Sequence, residues 1–282
     1  MPKLAWKDLL KQEQPLLLPC AYDALSARLI ERAGFSAYAV GGYQVVGARY
    51  AIPDIGLAAF GEISAGIRDI MAATPLPVMV DCDTGYGDVK NVTHTIQGYE
   101  AMGVSAIFME DQIAPKRCGH MAGKDVIPAE QMVAKIKAAA GARRSKDFFI
   151  VARTDARAVH GLDEALRRGE MYLAAGADGL FIEAPETVQE LERVGRAFKG
   201  VPQLANMVAY PTTLIFNVAR TVERALADIK AGKPSQSNDG VNFAEFKDIT
   251  NYDKWARIDD EYRPAAGRTT RGAQRKSPRR WR

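Results

Sequence analysis

This sequence predicts an α/β protein built as a (β/α)8 barrel of the TIM type, and three observations carry that prediction. Short apolar runs alternate with amphipathic segments along the chain, as when parallel strands are buried on both faces under helices. Polar residues gather at the C-terminal ends of several different strand candidates, which in a barrel converge on one mouth. The first strand candidate ends in Cys20-Ala21-Tyr22-Asp23, without the glycine-rich loop that announces a doubly wound sheet. A length of 282 residues suits one barrel of roughly 250 residues, although two small domains would also fit.

The strand candidates are Leu16–Tyr22, Ala37–Gly41, Pro77–Asp83, Ala106–Asp111, Phe148–Ala152, Gly179–Glu183 and Gln203–Val208. Between them, 3.6-residue periodicity predicts helices over Ala24–Ala33, Phe60–Ala72, Val89–Met102, Ala129–Ala140, Leu162–Ala174, Thr187–Phe198 and Thr213–Ala231. Gly34, Gly103 and Gly176 each follow a helix pattern and precede a strand, so each is expected to stop its helix in the left-handed conformation. That makes seven strands, one short of a closed eight. Leu204-Ala205-Asn206-Met207-Val208 runs straight into Ala209-Tyr210-Pro211-Thr212-Thr213.

Composition narrows the function classes. The chain is 47% hydrophobic and 26% charged, ordinary for a globular protein. No apolar run approaches the roughly 18 residues of a membrane helix, and the start lacks a signal peptide's pattern. Three widely spaced cysteines, Cys20, Cys82 and Cys118, point to a reducing cytoplasm rather than a disulfide framework. From Pro264 onward come Arg268, Arg271, Arg275, Lys276, Arg279, Arg280 and Arg282, with no acid; without those seven, 31 of the 38 basic residues remain against 34 acidic ones. The basic character therefore belongs to a tail. Residues 263–282 are expected to be disordered, and 1–262 to form the barrel and a C-terminal helical segment. Charge confined to a tail, with no base-stacking motif, argues against a nucleic-acid binder.

Two clusters carry chemistry. Asp81 and Asp83 stand two apart at a strand end and so face one side, and Glu110 ends the next strand. Three hard carboxylates at one point suit Mg²⁺, or Mn²⁺, with water and substrate completing the octahedron; the alternative is that the two aspartates cap a loop. In Lys116-Arg117-Cys118-Gly119-His120, two cations and an imidazole flank a thiol, an environment that favours thiolate. Gly119 and Gly123 allow that loop to act as a lid. An ordinary exposed loop with a stray cysteine is the competing reading. Zinc is disfavoured, since the other cysteines and His94 lack ligand spacing; His94 and His160 read as plain helix residues.

Lys116-Arg117-Cys118-Gly119-His120 after Glu110-Asp111-Gln112 resembles the signature of isocitrate lyase, 2-methylisocitrate lyase and 2,3-dimethylmalate lyase. Asp81 to Gly87 is similar to the metal motif of this isocitrate lyase/phosphoenolpyruvate mutase superfamily, and Ile52 to Gly56 to its substrate loop. Ala152 to Ala156, Phe181 to Ala184 and Leu204 to Met207 also match, in the family's order, over roughly residues 5 to 262. The resemblance implies a Mg²⁺-dependent carbon–carbon lyase for 2-methylisocitrate, 2,3-dimethylmalate or a related alkylmalate. It implies that Asp81, Asp83 and Glu110 hold the metal and that Cys118 protonates the leaving carbanion. Lys116 and His120 would tune that acid, and Arg153 would grip a carboxylate. Gly41, Gly42, Tyr43, Asp54, Glu183 and Asn206 would line the substrate site. It further implies a homotetramer that swaps C-terminal helices, with Asn251 to Trp255 in the swapped segment.

One departure is Gly41, where the family usually carries serine. The other is that Leu204 to Val208 resembles the family's strand seven and Ala209 to Thr213 the end of its strand eight, which implies that about one βα unit is missing near residue 208. Oxaloacetate hydrolase or decarboxylase and carboxyphosphonoenolpyruvate mutase are the alternative activities. A barrel inactivated by the deletion is the non-enzymatic alternative.

Overall fold

The computed structural model describes residues 4–117, 123–205, 213–231 and 243–262. In chain order the elements are α1 (Trp6–Gln12), α2 (Ala24–Arg32), β1 (Tyr38–Val40), α3 (Gly42–Tyr50), α4 (Phe60–Ala72), β2 (Val78–Asp81), α5 (Val89–Met102) and β3 (Ala106–Glu110). There follow α6 (Ala129–Ala142), β4 (Phe149–Thr154), α7 (Ala156–His160), α8 (Leu162–Ala174), β5 (Gly179–Ile182), α9 (Val188–Ala197) and α10 (Thr213–Lys230). All of these lie in one compact unit, residues 1–238; a second, residues 239–282, contains α11 (Phe243–Ile249) and α12 (Tyr252–Tyr262), which pack on each other.

The five strands pair in sequence order, β1-β2-β3-β4-β5, and every pair is parallel. The first and seventh strand candidates are reduced to single parallel bridges, Cys20 to Ala39 and Gln203 to Leu180. They flank the sheet on the two sides where a barrel needs them. Residues 206–208 of the seventh candidate, the junction near residue 208 and the tail from 263 lie outside the described residues. Among the described residues no eighth strand occurs.

Alternation along the strands sorts side chains into two layers. Val78, Val80, Ile107, Met109, Ile150, Ala152, Leu180 and Ile182 face the covering helices, packing with residues such as Ile67, Ile96, Ile136 and Tyr172. Met79, Ala106, Phe108, Phe149, Val151 and Phe181 face inward and form a separate core, closed by Trp6 and Leu9 of α1. Trp6 is 1% exposed. Losing such a ring costs about 3–5 kcal/mol, so α1 is a structural plug under the interior, an element the periodicity did not reveal.

The helix stops behave as the glycines indicated: Gly34, Gly103 and Gly176 have φ of 85°, 89° and 111°. The segment after β1 differs from expectation. Periodicity predicts no helix between Gly41 and Phe60, yet α3 starts at Gly42 and runs to Tyr50. Its two glycines and weak polar–apolar segregation hide the helix from a periodicity reading.

Candidate functional site

The mouth is built by continuing the inward-facing rows past the apolar layer. After Met79 on β2 comes Asp81; after Phe108 on β3, Glu110; after Val151 on β4, Arg153; after Phe181 on β5, Glu183. Glu110 and Arg153 are register partners. Period two thus puts four of the expected residues on one face.

Asp83 arrives by a different route from the one the sequence suggested. β2 ends at Asp81, and Asp83 has φ of 48°, so strand alternation does not carry it inward. A left-handed turn does, and aspartate tolerates that conformation better than most residues. The turn is held by the Asp83 N–H donating to Asp81 Oδ1 at 2.9 Å and by Lys135 Nζ donating to the Thr84 carbonyl at 3.0 Å. Burial lowers the Lys135 pKa below the usual lysine value.

Lys116 enters this cluster directly. Its Nζ lies 2.6 Å from Asp54 Oδ1 and 2.6 Å from Asp83 Oδ1, and the side chain is 5% exposed. The approach to Asp83 is off-axis, leaving Oδ1 without an aligned donor; Glu110 Oε1 and Glu183 Oε2 are likewise buried without one. Burial is the main reason the Asp83 carboxyl is pushed up to about 7; Lys116 opposes the shift, while Asp81 and Asp54 add to it. Burial also raises Glu110 well above the ordinary carboxylate range, against the pull of Arg153, and raises Asp54 against the pull of Lys116. Lys116 goes up, because four surrounding carboxylates outweigh its own desolvation.

Arg153 is clamped. Its Nε and Nη2 donate to the two oxygens of Asp155, both at 3.0 Å, and Nη1 lies 3.3 Å from Glu110 Oε2. Lys124 reaches Asp155 Oδ1 at 2.8 Å. Burial alone would raise Asp155, but Arg153 and Lys124 outweigh it and hold the carboxyl below its usual value.

Behind the clamp lies a set of residues that sequence reasoning did not assign. Asp111, fully buried, accepts from Thr154 Oγ1 (2.7 Å), Arg168 Nη1 (2.9 Å), Tyr172 OH (2.7 Å) and the Asp155 N–H (3.0 Å). It ties β3, β4 and α8 together and seats Asp155 from behind. Gln112 holds the next loop through both its amide atoms, donating to the Arg117 carbonyl and accepting from the Arg117 N–H, each at 2.9 Å. Gln112 also bridges antiparallel to Val126, which fastens the base of the loop carrying Lys116. The signal was present as three consecutive polar residues, Glu110-Asp111-Gln112, at the end of an apolar strand. Their partners, 43 to 61 residues away for Asp111, were not visible.

The remaining candidates divide. Gly42, at the start of α3, donates its N–H to Asp81 Oδ2 at 3.2 Å. A Cβ there would stand 3.2 Å from Asp83 Oδ1, so glycine lets the helix end approach the carboxylates. Tyr43 turns its ring to Phe216 of α10, 6.0 Å between centroids. Cys118, His120 and Asn206 lie outside the described residues. Cys20 is a neighbour the sequence did not flag: desolvation, reinforced by Asp81, pushes its thiol up to about 12.

Around the mouth, six carboxylates (Asp54, Asp81, Asp83, Glu110, Asp155 and Glu183) face three cations (Lys116, Lys124 and Arg153). Among the described residues no three His, Cys, Asp or Glu side chains stand close enough to enclose an ion; the Lys116 ammonium sits between two of the acids. Hard oxygens in excess, with Glu110 Oε1 and Glu183 Oε2 lacking donors, nevertheless fit a divalent cation such as Mg²⁺.

Fold and site together define a TIM-type α/β barrel with a polar mouth at the C-terminal ends of its strands. The chain belongs to the phosphoenolpyruvate phosphomutase family, which matches residues 6–235, within the phosphoenolpyruvate mutase/isocitrate lyase superfamily. It is 38% identical to 2,3-dimethylmalate lyase of Eubacterium barkeri over 289 positions, covering 93% of this chain and 98% of the relative. It is 41% identical to 2-methylisocitrate lyase of Shewanella oneidensis, covering 76% and 73%. Among solved structures, a 2,3-dimethylmalate lyase superposes with a TM-score of 0.83 at 28% identity, covering 94% of this chain and 97% of that one. Phosphonopyruvate hydrolase in complex with oxalate and Mg²⁺ superposes at 0.78 with 28% identity, covering 91% and 98%. The 289-position alignment is longer than the chain's 282 residues, so part of that relative has no counterpart here. Among the described residues no helix is long and apolar enough to cross a membrane.

Proposed function

We propose that this protein is a Mg²⁺-dependent carbon–carbon lyase acting on 2-methylisocitrate, 2,3-dimethylmalate or a related alkylmalate. The observation that carries the reading is the buried surplus of carboxylates, with unpartnered oxygens on Glu110 and Glu183, facing a clamped Arg153. Asp81, Asp83 and Glu110 are the residues that would hold the cation. When bound, the cation supplies Lewis-acid charge to the substrate's hydroxyl and adjoining carboxylate.

The chain's own residues do the rest. Arg153, fixed through Nε and Nη2 by Asp155, would offer Nη1 to a substrate carboxylate in competition with Glu110 Oε2, 3.3 Å away. The substrate hydroxyl passes its proton to a carboxylate of the mouth and its electron pair forms a carbonyl, as the bond between the hydroxyl-bearing carbon and the neighbouring carbon breaks. The pair released to the other fragment takes a proton from Cys118, the general acid. His120 sits two residues from that thiol and tunes it; Lys116, held by Asp54 and Asp83, adds positive charge beside it. Gly41, Gly42 and Tyr43 at the start of α3, with Asp54, Glu183 and Asn206, shape the substrate pocket. The products are pyruvate and succinate from 2-methylisocitrate, or pyruvate and propionate from 2,3-dimethylmalate.

The same reading places the enzyme in the cytoplasm as a homotetramer that exchanges C-terminal helices. In its support, Tyr252, Trp255, Ile258 and Tyr262 recur along α12 with 47%, 61%, 39% and 74% of their surface exposed, an apolar stripe that asks for a partner.

The test is pyruvate release from both acids, with and without Mg²⁺, beside Cys118→Ser. Mg²⁺-dependent release that falls by orders of magnitude in the variant is the expected result. Oxalate and acetate formed from oxaloacetate in place of pyruvate would assign the hydrolase activity instead. A folded, Mg²⁺-binding protein that turns over none of these acids would assign a barrel disabled by its missing unit.

A further inference from the structure

Gln44 lies in the first turn of α3, beside the carboxylate cluster. Gly41 before it is extended, with φ −93° and ψ 154°, so the alternation of β1 continues through it. Ala37 faces the inner core while Tyr38 and Val40 face the helices, which puts any side chain on residue 41 on the inner face. Glycine leaves that space empty, and Gln44 fills it. A Cβ on residue 41 would overlap Gln44 Oε1 and stand 3.1 Å from Cδ and 3.5 Å from Nε2. The glutamine is only 3% exposed.

Its amide makes no hydrogen bond among the described residues. A glutamine three residues into a helix commonly reaches back to cap the residue before it, but no side-chain cap bond forms at Gly41. Capping therefore does not account for this side chain. Neither amide atom is among the fully buried ones that lack a partner, so the amide of this otherwise buried residue retains exposure, and a ligand's oxygen would replace water there. The immediate surroundings already handle oxyanions: the Gly42 N–H donates to Asp81 Oδ2 at 3.2 Å, and the first N–H groups of a helix favour negative charge.

We propose that Gln44 is a substrate-contacting, specificity-determining residue, whose side-chain amide donates to a carboxylate oxygen of the acid bound at the mouth. This rests on the reading of the mouth as a site for a Mg²⁺-bound small carboxylic acid. The amide supplies, from the first turn of α3, the contact that residue 41 cannot make for want of a side chain. The geometry also predicts an interdependence: a side chain at 41 must displace the Gln44 amide from its present position.

The experiment uses the full chain, with oxalate as probe in the presence of Mg²⁺, titrated calorimetrically. Mg²⁺ alone and the melting temperature are measured alongside. Gln44→Leu keeps the volume and removes the donor. It is expected to weaken oxalate binding about tenfold to a hundredfold, while Mg²⁺ affinity and melting temperature stay near those of the unchanged protein. Gly41→Ser is expected to lose oxalate affinity through collision with Gln44, and Gly41→Ser/Gln44→Gly to recover it. If the unchanged protein binds oxalate and Gln44→Leu binds it equally well, the inference is overturned and the reading of the site stands. If oxalate affinity and melting temperature fall together in Gln44→Leu, and the double substitution recovers neither, Gln44 belongs to the helix scaffold and the inference is again overturned. If the unchanged protein binds no oxalate with Mg²⁺, the reading of the site falls and takes this inference with it.

Discussion

Asp83→Asn should make the metal-free protein more stable while abolishing its use of Mg²⁺. The Asp83 carboxyl is raised from 3.8 to about 7 by burial and by Asp81 and Asp54. At 1.36 kcal/mol per unit, keeping it ionised in the folded state costs on the order of 4 kcal/mol. Because its folded value lies above its unfolded one, its protonation stabilises the fold below about pH 4. That contribution declines as pH rises and is gone above about 7. Asparagine removes the charge at every pH but also deprives Lys116 of one anion, while leaving Asp54 only 2.6 Å away. A net gain of about 2 kcal/mol at pH 8 is expected, or roughly 4–8 °C in melting temperature for a protein of this size. Thermal unfolding in chelator at pH 8 and pH 5 reads it out. The gain should be largest at pH 8 and shrink at pH 5, where the native carboxyl is already protonated. Added Mg²⁺ should raise the melting temperature of the unchanged protein at pH 8 and leave that of the variant where it was. A variant less stable than the unchanged protein in chelator at pH 8 would refute the reasoning, showing that the pairing with Lys116 outweighs the crowding of acids.

Two further outcomes follow from the packing. Asp111→Leu strips four donors of their shared acceptor and leaves the Arg168 charge buried without that partner; it should cost about 3–5 kcal/mol in a denaturant titration. Gly169→Ala in α8 would gain about 1 kcal/mol in helix propensity, but its Cβ would stand 2.6 Å from the buried Phe198 ring and 3.2 Å from Leu180. Overpacking of that kind costs about 1–3 kcal/mol, so chemical denaturation should show a net loss or no gain.

Residues with strong local periodicity were readable in advance. α4, α5 and α8 have the predicted bounds, Phe60–Ala72, Val89–Met102 and Leu162–Ala174, because each pairs an apolar stripe with a clear start or stop. α1 and α3 were missed for opposite reasons. α1 is one short helix whose Trp6 and Leu9 matter only through contacts made far along the chain. α3 opens with glycines that local reasoning assigns to a turn, yet its position at the mouth requires them. Within the site, Asp81, Glu110, Arg153 and Glu183 were legible from strand period. Asp83 was assigned to the right place by the wrong geometry, since backbone handedness at a single residue leaves little trace in a sequence. Asp111 and Gln112 were seen as part of a motif without a role, because what each holds is set by tertiary contacts.

Glu110 and Asp111 are adjacent, and the strand sends one to the mouth and the other into the helix layer. A shift of β3 by a single residue would exchange them. The longer acid would then press against Arg168 and Tyr172, and the shorter one would fall short of Arg153. Each wrong register leaves a buried ion without its counter-ion, a penalty incurred as soon as α8 docks. The pair that equips the mouth for chemistry thus also fixes the alignment of the sheet.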